Sequence, residues 1–145
     1  MKLRNAVYVA FIVCLCIFRQ DASAQQKDNW TADQLMAPAA LAKILNTSQR
    51  PVIIGVGPAG TIPHSIETGM VSDKTSLDSL EKVLNTLPRD TAVVIYCGCC
   101  PFSRCPNIRP AIDMLKQKKF TNYHLLNLAT NVKVDWIDKG YPVVD

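Results

Sequence analysis

Thr91-Ala92-Val93-Val94-Ile95-Tyr96-Cys97-Gly98-Cys99-Cys100-Pro101-Phe102-Ser103-Arg104-Cys105-Pro106 is the stretch on which the fold turns. Ala92 to Tyr96 is an unbroken apolar run rich in β-branched residues, the pattern of a strand covered on both faces. It passes directly into Cys97 and a segment dense in cysteine and proline. Upstream, Leu77, Leu80, Val83, Leu84 and Leu87 recur at intervals of three and four and predict a helix over 76–87, which Pro88-Arg89-Asp90 ends. Before it, Pro51 introduces Val52 to Val56, a second strand of buried type. Gly57-Pro58-Ala59-Gly60 makes a turn, and Ile62 to Ile66, broken by Pro63, is short enough only for an edge or loop segment. Thr31 with Gln34 forms a capping-box pattern, Pro38 restarts the helix, and Leu41, Ile44 and Leu45 stripe it to about Asn46.

Downstream, Pro106 or Pro110 opens a helix carrying Ile112, Met114 and Leu115 that ends near Lys119. Tyr123 to Leu126 is a further strand, and a helical piece over 133–139 leads through Gly140 to Pro142-Val143-Val144. Strands alternating with helices at these spacings predict an α/β fold, a parallel sheet in three layers forming one domain over 25–145. In such sheets functional groups gather at the carboxyl ends of the strands, where Cys97 stands.

Residues 1–24 lie outside that domain. Lys2 and Arg4 precede an apolar run, Ala6 to Phe18, and Ala22-Ser23-Ala24 supplies the small residues of a cleavage site. The run falls short of the roughly 20 residues that span a bilayer, so the segment reads as an export signal cleaved after Ala24. The expected location is periplasmic or secreted, with no membrane span after cleavage. Three of the 16 basic and one of the 12 acidic residues sit in that segment, leaving 13 against 11 and a net charge of +2. So balanced a chain, without basic runs or interleaved aromatics, carries no nucleic-acid signature.

Two of the six cysteines fall in the export segment, and Cys97, Cys99, Cys100 and Cys105 share one nine-residue window. A disulfide scaffold ties distant segments together, whereas this cluster braces nothing remote and points to chemistry. A strand–Cys–loop–helix unit directs backbone N–H groups and a helix N-terminus at the loop, which favours a thiolate or a bound anion. Cys97 is the candidate nucleophile. The loop of Gly98, Cys99, Cys100, Pro101, Phe102, Ser103 and Arg104 is the candidate anion cradle, with Arg104 and Arg109 as sources of positive charge.

Three parts of the chain resemble the rhodanese-like family, in the family's order. Gly60-Thr61-Ile62-Pro63-His64-Ser65-Ile66 is similar to its Gly-His-Ile-Pro-Gly-Ala segment. Ala92 to Cys97 resembles the strand that ends in its sulfur-carrying cysteine, and Phe120 through Asp135-Trp136 to Gly140-Tyr141-Pro142-Val143 resembles its closing strand, helix and tail. The resemblance implies sulfur transfer: a persulfide on Cys97, a small sulfur-containing donor such as thiosulfate, a thiol acceptor, and no cofactor. The chain departs from the pattern at Gly55 and Gly57, where the family commonly has an Asp-x-Arg pair, and at His64, which replaces a glycine. About five extra residues also widen the Cys97 loop.

The added thiols admit other chemistries. Cys97-Gly98-Cys99-Cys100 has the Cys-x-x-Cys spacing of thiol–disulfide exchangers, and Cys100 or Cys105 is placed to resolve a persulfide. Four thiolates satisfy tetrahedral zinc or bind cuprous copper in a non-enzymatic module, though zinc sites ordinarily use two separated pairs, and no metal is assigned here. His64 reads as an ordinary surface residue, and Trp30 and Trp136 as packing residues.

Overall fold

A computed structural model describes residues 28–58 and 60–144. The expected export signal lies outside the described residues. Five parallel strands form the sheet: β1 (Leu35–Met36), β2 (Val52–Gly55), β3 (Ser65–Glu67), β4 (Val93–Tyr96) and β5 (Tyr123–Leu126), in spatial order β1-β5-β4-β2-β3. Four helices accompany them: α1 (Pro38–Ile44), α2 (Lys74–Asn85), α3 (Ile108–Gln117) and α4 (Val132–Asp135). The α/β parallel-sheet architecture matches the sequence-based expectation. Among the described residues, no helix is long and apolar enough to cross a membrane.

The central strand β4 is flanked on both sides, with Val93 opposite Val52 and Tyr123. All four of its residues are buried, as a two-sided strand requires. Strand alternation then sorts the core into two layers. Val93, Ile95 and Cys97 join Ile54, Leu125 and the inner faces of α2 and α3, including Leu80, Leu84, Ile108, Ile112 and Leu115. Val94 and Tyr96 join Ile53, Leu126, Leu41 and Leu45 of the α1 segment, and Trp136 just beyond α4. Cys97 therefore inherits, by period two, the face that Val93 and Ile95 occupy.

One element differs from expectation. The helix expected from Thr31 is a single 3₁₀ turn (Ala32–Gln34) followed by β1, and only from Pro38 does an α-helix form. The capping interaction itself exists, with the Thr31 amide donating to Gln34 Oε1 at 3.0 Å, but it caps a turn. Pairing of Leu35 and Met36 with Leu125 and Leu126 draws the chain into extended conformation at once. The segment around Pro63, expected as edge or loop, forms the short edge strand β3. Just before it, His64 has φ = +65°, a left-handed conformation that glycine adopts at lower cost, at the position where the resembled pattern has glycine.

Candidate functional site

The loop after β4 runs from Cys97 to Asn107, holds one 3₁₀ turn at Phe102–Arg104, and is anchored along its length. The Gly98 carbonyl accepts from the Val132 amide at 3.0 Å, the Phe102 amide donates to the Leu128 carbonyl at 3.1 Å, and the Arg104 amide donates to the Pro101 carbonyl at 3.0 Å. The Phe102 ring meets Trp30 edge-on, with centroids 5.8 Å apart.

These anchors bring the four sulfurs together. All four Sγ atoms lie within 4.8 Å of one another, with Cys97 to Cys99 at 3.5 Å and Cys99 to Cys100 at 3.2 Å. All four are free thiols. Cys97 and Cys105 are buried, Cys100 is half-buried and Cys99 is exposed, so the cluster grades from the core outward.

Cys97 collects donors. The Cys105 thiol donates to it, the Cys99 amide points at it, and Asn107 Nδ2 lies 3.7 Å from its Sγ. The Cys105 hydrogen bond is the largest influence, and together the donors overcome the opposing effect of burial and lower the thiol to about 5. Its partners shift the other way. Burial, then the neighbouring sulfurs, push Cys99 up to about 12, and donation to Cys97 holds the Cys105 proton firmly in place. The negative charge of the cluster belongs on Cys97.

Cys97, the candidate nucleophile, is only 2% exposed. The cause is the strand alternation, which continues one residue past Tyr96 and turns the sulfur inward. The anion cradle is also narrower than expected, since the amides of Phe102 and Arg104 are engaged by carbonyls and the Cys99 amide serves Cys97. The amide that opens α3, that of Asn107, is directed to Cys105. Finally, neither arginine is among the groups that lower the Cys97 thiol. Arg104 is exposed, and Arg109 pairs with Asp28 at 2.9 Å, donates to the Ser103 carbonyl and lies over the Trp30 ring at 5.1 Å. Hydrogen bonds perform the task expected of them. Ser103 and Pro101 shape the loop, with Ser103 exposed on its rim.

Two residues central to the site were not read as site residues in the sequence. Asn107 is 3% exposed and bridges the site, donating from Nδ2 to Cys97 and accepting from the Ser72 amide at 3.0 Å. Its signal was available: it precedes α3 in the N-cap position, but its side chain makes no cap. Gly57 is the other. A Cβ there would overlap Cys97 Sγ and come within 3.2 Å of Asn107 Nδ2. Gly57→Ala should therefore cost about 1–3 kcal/mol, the usual penalty for overpacking, in urea unfolding of the reduced protein. The same substitution made beside Cys97→Ala should cost markedly less, because the obstructing sulfur is gone. Equal costs in both backgrounds would mean that Gly57 does not adjoin the thiol.

No protein-family model matches the chain, and no curated protein matches it. Among solved structures the fold is similar to that of EanB, as seen in the complex of a cysteine-to-serine variant with hercynine, at 16% sequence identity and a TM-score of 0.54. The match covers 77% of this chain and 27% of the EanB chain, so the chain spans little more than a quarter of that protein's length. The likeness is one of fold.

Proposed function

We propose that this chain is a sulfane-sulfur carrier, a rhodanese-like sulfurtransferase acting outside the cytoplasm, with its persulfide on Cys97. The observation that carries this reading is the seating of Cys97 Sγ at the carboxyl end of the central strand, within reach of the Cys99 amide, Asn107 Nδ2 and the Cys105 thiol. Donors that hold a thiolate also hold the terminal sulfur of a persulfide, which is anionic as well. The motif order described above supports the same reading.

In the transfer, the Cys97 thiolate attacks the outer sulfur of thiosulfate. The donor's S–S bond breaks, its electron pair leaves on sulfite, and the outer sulfur stays on Cys97. An acceptor thiolate then attacks that sulfur, and Cys97 departs as a thiolate. Because Cys97 is buried beneath the exposed Cys99, the donor approaches from the Cys99 side, and the loop must open for the sulfurs to meet.

The test is intact mass and peptide mapping of reduced, metal-free protein after thiosulfate treatment. One added sulfur atom on the Cys97 peptide, released by excess thiol, is expected. No gain, or sulfur found on Cys99 or Cys100 instead, would end the proposal. A redox reading has one observation in its favour, the 3.5 Å approach of Cys97 and Cys99. It predicts loss of two hydrogens under mild oxidant together with turnover of a disulfide substrate, and it would draw on Cys97 and Cys99 before the Cys97/Cys100 spacing seen in the sequence.

A further inference from the structure

We infer that the four thiols form a single binding site for a thiophilic d¹⁰ cation, with Zn²⁺ coordinated by Cys97, Cys99, Cys100 and Cys105 together. A zinc ion holds thiolate sulfur at about 2.3 Å, which in tetrahedral geometry sets the sulfurs roughly 3.8 Å apart. In the cluster the separations of neighbouring sulfurs are 3.2 and 3.5 Å, and none exceeds 4.8 Å. The required spacing falls inside that range, so the loop closes around the ion by shifts of an ångström or less. One loop thus achieves what paired knuckles usually supply, because the Phe102–Arg104 turn brings Cys105 back against Cys97.

The surroundings suit the ion as well. A four-thiolate zinc centre carries a net charge of −2, and sulfur-bound charge is stabilised by N–H donors around it. The Cys99 amide serves Cys97, Asn107 Nδ2 lies beside Cys97, and the Asn107 amide at the start of α3 serves Cys105. Among the described residues, sulfur is the only ligand type in the cluster, with no carboxylate or imidazole, which selects soft ions over magnesium or calcium. The gradient from buried Cys97 and Cys105 to exposed Cys99 leaves an entry path on the solvent side.

On binding, each thiol that reaches the ion as S–H gives its proton to solvent, and no oxidant or reductant is needed. Metal binding and sulfur loading compete for Cys97, since both draw on the negative charge of its thiolate. The site stands without the sulfur-carrier proposal: a protein that binds zinc but accepts no sulfur would refute only the latter.

The experiment titrates the reduced full chain anaerobically with Zn²⁺, and separately with Co²⁺ and Cu⁺. Expected are one zinc per chain, protection of all four cysteines from iodoacetamide, and the intense visible bands of tetrahedral thiolate-bound cobalt. Replacing either of the outer ligands, Cys99→Ser or Cys100→Ser, should weaken zinc binding by more than about 100-fold, beyond the 10–100-fold typical of losing a ligand's hydrogen-bonding partner. Asn107→Ala should fall in that lower range. These variants leave the buried cysteines in place, and far-ultraviolet dichroism checks their fold. Zinc below half-stoichiometry, cysteines still alkylated at saturating zinc, or unchanged affinity in both Cys99→Ser and Cys100→Ser would overturn the inference. Tight Cu⁺ binding that leaves Cys99 and Cys100 reactive would also overturn it, because the site would then have two ligands rather than four.

Discussion

Cys97→Ser should load no sulfur from thiosulfate, although three thiols remain within a few ångströms of the vacated position. The reason lies in the direction of the hydrogen bonds. Cys97 receives them from Cys105, the Cys99 amide and Asn107, whereas Cys105 gives its proton toward Cys97. Removing the acceptor does not transfer its donors to a neighbour, because Asn107 is fixed by Ser72 and the Cys99 amide is held by the loop. Cys99 is the most exposed of the remaining sulfurs, and burial and its sulfur neighbours hold its thiol up near 12, so little of it is ionised at neutral pH. Loading should fall by at least about 1,000-fold, consistent with the loss of an activated nucleophile rather than of a binding contact. Intact mass after thiosulfate measures it, with Cys105→Ser as comparison. That variant keeps a hydroxyl donor to Cys97 and should lose activity only in part. If Cys97→Ser loaded sulfur as readily as the parent, the exposed thiols would be the carriers, and the buried sulfur would have a structural role.

The parts of this molecule that were legible in its sequence are those set by local pattern. Val93 to Tyr96 and Val52 to Gly55 announced themselves by length and apolarity, and the leucine spacing of α2 by its period. Strand β1 did not, because two residues carry no period and only pairing with β5 makes Leu35 and Met36 extended. Tertiary contact overrode a genuine capping signal there. Pro106 and Pro110 similarly bracket the start of α3 without marking it: the helix opens between them at Ile108, with Pro110 inside its first turn. A proline is tolerated there because the amides of a first turn have no partner inside the helix.

The site shows the same division. Four cysteines in nine residues mark a chemical centre by composition alone. Which of them is charged, and why, depends on Asn107, Gly57 and the return of Cys105, contacts that only the folded loop creates. The arginines illustrate the converse. Proximity in sequence suggested that Arg109 serves the thiols, but it pairs with Asp28 and lies over the Trp30 ring, some eighty residues away in the chain. Sequence distance is a poor guide to which charge meets which group.

The opposite face of the sheet carries the second large effect. Trp136→Ala should destabilise the protein by about 3–5 kcal/mol, the range for removing a buried aromatic side chain. Trp136 is 0% exposed and belongs to the layer of Leu41, Ile53, Tyr96 and Leu126. Its Nε1 donates to the Pro142 carbonyl at 2.7 Å, and its ring meets Tyr141 edge-on at 5.2 Å, so it fastens the final segment as well as filling the core. Gly140, in left-handed conformation at φ = +72°, makes the turn that brings Tyr141 and Pro142 back over the ring. The Val144 amide then reaches the Thr61 carbonyl at 3.0 Å, tying the tail to the segment before β3. Against a total stability of roughly 5–15 kcal/mol, such a loss is a large fraction of the whole. It should appear in urea titration as a lower midpoint at unchanged slope. Trp136→Phe, which keeps most of the packing and loses the donor, should cost about 1–2 kcal/mol more than a neutral change. The thiols lie across the sheet, with Cys97 and Cys105 in the other layer, so sulfur loading below the unfolding transition should be unchanged in Trp136→Phe. Parallel loss of loading and stability in that variant would show that the two layers are not separable, and that the closing segment helps to hold the Cys97 loop through α4 and its contact with Gly98.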